Sequence, residues 1–399
     1  MSDILKIFAV FLLTLLLLRR KLYIGYVMLL ASGLIALMYR MAPALVLKTA
    51  LRAATSGITI KLLLALSLIR ILEVVLREQK VLSSMMSSVR NFFRSRRVVI
   101  ISMPMLIGML PSLGGAYFSA PMVKEATEGL GMSREEKAFI NYWFRHPWEY
   151  VLPLYPGILL AAAISNVPLY GLISHNAPYA LALLATGFIF SMREMRTVPE
   201  SAAAPGGAKQ YAWLSFLPVA AVLLLVVAVR VELHYALLAV IVPLVLLYRY
   251  RPAGLLRLTR HGFALEVIVL IFGIMLFKEA MESSGAVRNL SAFFVEKGIP
   301  ALPILCLLPL ITGLLTGHTV GFVGSTFPLL ISIAGGAPVV EMSLAFAAGY
   351  VGVLLSPVHL CFVLTREYFK ADLWGVYKKT IPASLIIFCT AIIEYLLLR

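Results

Sequence analysis

Charge is scarce in this 399-residue chain. Only 14% of its residues are charged, and acidic residues are the rarer sign, 19 against 35 basic. Soluble domains carry about a quarter charged residues, so this sequence has too few to build a water-facing surface. Cysteine is nearly missing too. Cys306, Cys361 and Cys389 stand in apolar runs without CxxC or metal-ligand spacing. That excludes a disulfide framework and leaves them as small core residues. HExxH, Walker-loop and strand-borne GxSxG signatures are missing, so neither an enzyme nor ATP-driven transport by the chain itself is expected. No metal site or resident cofactor is expected, beyond Na⁺ or H⁺ as a coupling ion.

What is present is apolar: 61% of the residues are hydrophobic. Such a chain is an all-α integral membrane protein by hydropathy alone. The formal charge of +16 could point to nucleic acid, but Lys and Arg gather in short loops between apolar runs. There they meet lipid headgroups and set orientation, and no nucleic-acid partner is expected. Met1–Leu18 lacks a basic leader and a small-residue cleavage site, which reads as a retained first helix.

Ten spans are predicted. The first five are Ile4–Leu18, Leu22–Tyr39, Gly57–Leu76, the broken run Glu136–Ile164, and Leu172–Met192. A polar linker, Arg193–Gln210 with Pro205-Gly206-Gly207, precedes Tyr211–Val229, Leu233–Tyr248, Phe263–Met281, the broken run Met342–Leu364, and Ile381–Leu398. Two further apolar stretches, 98–123 and 302–334, are interrupted by Pro and Gly. Each half is too short to cross about 30 Å of hydrocarbon, so a re-entrant helical hairpin fits better.

The two stretches match. Phe92-Phe93 pairs with Phe293-Phe294, Pro104 and Gly108 with Pro309 and Gly313, and Ser119-Ala120-Pro121 with Ser325-Thr326-Phe327-Pro328. Pro147 falls opposite Pro357, and Glu149 opposite His359. The chain therefore reads as two repeats, 1–209 and 210–399, of five spans and one hairpin each. An odd span count inverts the second copy. With both termini outside, most Lys and Arg fall in the cytoplasm, including Arg19, Arg90, Arg94, Arg97, Arg196, Arg251, Arg257, Arg260 and Lys379. The exceptions, Arg40, Lys48 and Arg52, lie on an amphipathic stretch suited to the interface.

Candidate ligand groups sit at the breaks. One hairpin tip reads Pro111-Ser112-Leu113-Gly114-Gly115, the other Thr316-Gly317-His318-Thr319. A broken helix offers unpaired N–H groups to anions and unpaired C=O groups to Na⁺, while Ser and Thr add short oxygen ligands. The hydroxyls of Ser119, Ser325 and Thr326 belong to the same candidate set. The plain alternative is that Gly and Pro only permit close helix packing.

The broken spans carry Arg145-His146-Pro147-Trp148-Glu149 and Ser356-Pro357-Val358-His359. An ionisable group at this depth is costly and a functional candidate by default. Arg145 could clamp a carboxylate or phosphate, and His146, Glu149, His318 or His359 could carry a proton. Against this stand an Arg145–Glu149 brace one turn apart and histidines that merely pack. Arg70 and Glu73, three apart, read as a structural ion pair.

The stretches LPSLGGAYFSAPMV (Leu110–Val123), FRHPWEYVLPLYPG (Phe144–Gly157) and LLSPVHLCFVLTREYF (Leu354–Phe369) resemble the membrane family known as domain of unknown function 401. That family is grouped with the ion transporter superfamily, among divalent-anion/sodium symporters, gluconate permeases and p-aminobenzoyl-glutamate transporters. The resemblance implies a dimer-forming scaffold domain, a transport domain bearing both hairpins, and elevator-type motion. Dicarboxylate/sodium symporters carry Ser-Asn-Thr at both tips; this chain does not, so sodium coupling and dicarboxylate selectivity do not follow. The expectation is a homodimeric secondary transporter of a small organic anion in the cytoplasmic membrane, in contact with membrane lipids. The alternatives are a translocase for a lipid-linked phosphate and a non-transporting assembly protein.

Overall fold

In the computed structural model, residues 3–81, 84, 85, 88, 95–111, 115–195, 212–334 and 338–398 are described. They are mostly helical, with no strand among them. Ser112 and Gly114, the arginines Arg90, Arg94 and Arg196, Phe92-Phe93 and Pro205-Gly206-Gly207 lie outside the described residues.

The first half runs α1 (Asp3–Arg19), α2 (Ile24–Met38), α3 (Pro43–Thr55), α4 (Gly57–Glu78), α5 (Arg96–Gly108), α6 (Gly115–Ala126), α7 (Arg134–Trp143), α8 (Trp148–Val151), α9 (Pro156–Ser165) and α10 (Leu169–Met195). The second runs α11 (Leu217–Leu223, continued by a π-helical turn at Leu224–Ala228), α12 (Leu233–Leu247), α13 (Pro252–Gly262), α14 (Leu265–Ser283), α15 (Ala286–Glu296), α16 (Ala301–Thr316), α17 (Thr319–Ile333), α18 (Val339–Leu355), α19 (Leu360–Phe369) and α20 (Leu373–Leu398). Each of the ten apolar runs read from the sequence is helical over most of its length. Four segments are long and apolar enough to cross a membrane: Arg134–Ser165, Leu169–Ser191, Val339–Phe369 and Leu373–Leu398. Apolar side chains also cover much of the outer surface; Leu246 and Leu247 are 70% and 71% exposed. The chain is a multi-pass membrane protein.

Local chemistry sets the helix ends. Ser133 caps α7 by accepting the Glu136 N–H at 3.0 Å, satisfying one of the free donors of the first turn. Pro43, Pro156 and Pro252 occupy the first helical position, where a missing N–H costs nothing. Gly317, at φ 64°, ends α16 in the left-handed region and lets the chain reverse into α17.

Both interrupted stretches form helical hairpins: α5 packs on α6, and α16 on α17. At 1.5 Å per residue these arms are about 18–24 Å long, short of the hydrocarbon thickness. The second hairpin is sealed onto α18, where a Cβ on Gly313 would collide with the Gly349 carbonyl and one on Gly352 with the Leu310 carbonyl. The stretch Arg251–Arg260, read with the basic loops, is instead mostly an amphipathic helix, α13, lying against α4. Its high charge hides its period from a hydropathy reading. α2 packs inward where Gly25 brings its backbone against Val269 and Gly273 of α14.

The expected Arg70–Glu73 pair gives way to others. Glu73 pairs with Arg77, four residues on and better aligned on the helix face, while Arg70 reaches Glu266 of α14 at 4.0 Å. A buried pair unmarked by spacing, Glu136 with Lys379, ties α7 to α20.

Candidate functional site

The two broken spans and the two hairpins meet in the interior. Between α7 and α8 the chain leaves helical geometry at Phe144–Pro147, and between α18 and α19 at Ser356–His359. Pro147 and Pro357 cannot donate a backbone hydrogen bond, which is why each run opens there.

Each break is wired to a hairpin. On the first side, Trp148 Nε1 donates to the Met105 carbonyl at 2.7 Å, and the Tyr155 hydroxyl donates to the Gly108 carbonyl. Gly108 is glycine because a Cβ would strike the Arg145 carbonyl. On the second side, Ser356 Oγ donates to the Leu314 carbonyl at 2.7 Å. The links also cross between halves. Thr319 Oγ1, in the first turn of α17, donates to Glu149 Oε2 at 2.6 Å. Asn141 Nδ2 on α7 donates to the Ala116 carbonyl and to Thr365 Oγ1, both at 3.0 Å.

At the centre His146 Nε2 lies 3.1 Å from His359 Nε2. The remaining ring nitrogens face backbone carbonyls: His146 Nδ1 lies 2.5 Å from the Tyr142 carbonyl and His359 Nδ1 2.7 Å from that of Gly317. Tyr142 stands edge-on to both rings, and the Tyr350 hydroxyl donates to the His146 carbonyl at 3.1 Å. Arg145 is 4% exposed and lies within electrostatic reach of Glu149, Tyr155 and Cys361. The Glu149 carboxylate meets the first turn of α17, where a helix favours negative charge.

The predicted candidates therefore divide. Arg145, His146, Glu149, Gly317, Thr319, Ser356 and His359 are drawn into one polar interior. His318 is exposed at the second hairpin tip, within electrostatic reach of His359 and Glu149, and makes no ring contact with the His146–His359 pair among those described. Ser325 and Thr326 donate back to the Gly321 and Phe322 carbonyls at 2.7 Å, and Ser119 donates to the carbonyls of Gly115 and Ala116 in its own helix. Thr316 likewise donates to Thr312. Pro111 ends the first arm's described residues, Gly115 opens α6, and Pro357 is exposed. Cys361, read from the sequence as a small core residue, brings its Sγ within 4.8 Å of a ring nitrogen of each of His146 and His359, though they come from positions as distant as 146 and 361.

A search of curated proteins finds no match. Among solved structures, the chain is similar to that of the YdaH transporter from Alcanivorax borkumensis, whose crystal structure is described as revealing an unusual topology. The TM-score is 0.57 at 13% identity, covering 88% of this chain and 86% of the other, which makes the likeness one of fold. A family model described as "Protein of unknown function (DUF401)" matches residues 1–398. The chain thus belongs to the DUF401 family along essentially its whole length.

Proposed function

We propose that the protein is a secondary active transporter of a small carboxylate-like organic anion, driven by H⁺ or Na⁺. Arg145, Glu149 and Thr319, with the adjacent tip of the second hairpin, form its anion- and ion-binding region. The observation that carries this reading is the cross-connection of the halves in one buried polar interior, Glu149 to Thr319 and His146 to His359. Polar groups of this kind are costly in a membrane chain and mark solute pathways. The transporter fold of the structural neighbour supports the same class.

Ten spans in two inverted repeats are supported by reciprocal packing. If α2, α3, α4, α6 and α9 correspond to α12, α13, α14, α17 and α19, contacts should appear in exchanged pairs. They do: α2 packs on α14 and α12 on α4, α3 on α14 and α13 on α4, α9 on α17 and α19 on α6. Pro178 and Pro382 also fall at the same position within α10 and α20. An elevator movement fits the grouping. α2–α4 and α12–α14 pack mainly among themselves as a scaffold, while the hairpins and broken spans form a second body around the site. The scaffold would supply the homodimer contact in the cytoplasmic membrane, with both termini outside.

A thermal-shift screen of the purified protein against organic anions, with and without Na⁺, tests the binding claim. A ligand at 100 times its Kd adds about 2.7 kcal/mol of stability. The expected result is a rise in melting temperature for at least one small carboxylate, lost in Arg145→Met. Stabilisation only by phosphate-bearing amphiphiles, with no response to any free anion, would contradict the reading in favour of a lipid-linked substrate.

A further inference from the structure

The hydrogen bonds around the paired histidines fix their tautomers. A carbonyl oxygen only accepts, so each Nδ1, at 2.5 Å from the Tyr142 carbonyl and 2.7 Å from the Gly317 carbonyl, must carry the hydrogen and donate. A neutral imidazole protonated at Nδ1 has its lone pair on Nε2. The two Nε2 atoms then point lone pairs at each other across 3.1 Å, an arrangement that requires a positive centre between them.

A shared proton would satisfy two nitrogens. A metal ion satisfies those two and also accounts for a third donor, Cys361, whose Sγ lies within 4.8 Å of a ring nitrogen of each histidine. Tetrahedral geometry with metal–nitrogen bonds of 2.0–2.1 Å places two ligand nitrogens about 3.3 Å apart, close to the spacing seen. Metal-bound histidines characteristically donate their other N–H to a carbonyl or carboxylate, as both do here. Two imidazoles and one thiolate select a thiophilic d¹⁰ cation over Mg²⁺ or Ca²⁺, which take oxygen ligands.

We propose that His146, His359 and Cys361 form a binding site for one zinc(II) or copper(I) ion, set between the two broken spans and held against the second hairpin tip. The site stands independently of the anion-transport reading. Three protein ligands leave a fourth position open, as in metal sites that bind an exchangeable ligand. Because the donors come from the α7–α8 break, the α18–α19 break and α19, an ion would clamp these elements together.

The test uses the full-length protein in detergent, stripped with chelator, then incubated with Zn²⁺, or with Cu⁺ under reductant, and desalted. Metal per chain is measured by mass spectrometry. Near one ion per chain is expected for the parent and for Cys306→Ser and Cys389→Ser. Cys361→Ser and His359→Gln should lose affinity by more than the roughly 10–100-fold that removal of an outer-shell partner costs. Co²⁺ loading should give a thiolate-to-cobalt charge-transfer band that disappears in Cys361→Ser, a near-isosteric change whose folding is checked by its elution profile. Failure of both Zn²⁺ and Cu⁺ to bind, or equal binding by folded Cys361→Ser, overturns the proposal and leaves a proton between the histidines. Anion transport that persists in metal-free protein would not rescue a failed site, and anion-free protein that binds zinc would still support it.

Discussion

At the scale of single residues, Arg145 and Glu149 lie one turn apart in sequence but make different connections. Glu149 accepts from Thr319 of the opposite half, while Arg145 sits 4% exposed where α5 meets the first break. If Arg145 holds an anion's carboxylate, Arg145→Met should weaken binding by about 2–5 kcal/mol, and Arg145→Lys should also be impaired because it loses the two-pronged fork. If the arginine only braces Glu149, Arg145→Met with Glu149→Leu should recover stability and keep transport. Melting temperature and liposome uptake, measured together, distinguish the two. Thr319→Val removes the hydroxyl that donates to Glu149, and should lower transport by about tenfold if that contact is worth 1–1.5 kcal/mol. Much of this polar interior was legible in the sequence, since an Arg or Glu inside an apolar run stands out. Cys361 did not: one sulfur in an apolar helix looks like packing until the fold brings residue 146 beside it.

At the scale of elements, the hairpins depend on glycines that let backbones touch. Gly352→Ala sets a methyl against the Leu310 carbonyl, so α16 and α18 must separate. A loss of about 1–3 kcal/mol is expected, read as a lower melting temperature in detergent. Gly33→Ala is the control: the position is exposed on α2, a Cβ there meets nothing, and the change should be neutral or stabilise by about 0.5–1 kcal/mol. The hairpins were readable because Pro and Gly interrupt otherwise apolar stretches. The partners of each glycine were not, since close approach is a property of two elements and a sequence shows one at a time. Helix α13 was missed for another reason: its apolar face is short, and its arginines made it resemble a loop.

At the scale of the whole molecule, the proposed inverted repeat carries a prediction of orientation. With an outside N-terminus, α13 then faces the cytoplasm. Leu256→Cys, at an exposed position of α13, should react with an impermeant thiol reagent only from the cytoplasmic side; labelling from outside would reverse the topology. The matched order of Pro, Gly and Ser positions suggests the repeat from the sequence, whereas the proposed grouping into scaffold and transport body rests on contacts between elements distant in the chain. The most direct test of the account is uptake of labelled organic anions by proteoliposomes under an imposed proton or sodium gradient. Gradient-dependent accumulation of at least one small carboxylate is predicted, abolished by uncoupling the gradient and strongly reduced in Arg145→Met. No accumulation above protein-free liposomes for any anion, with folded protein in both orientations, would contradict it.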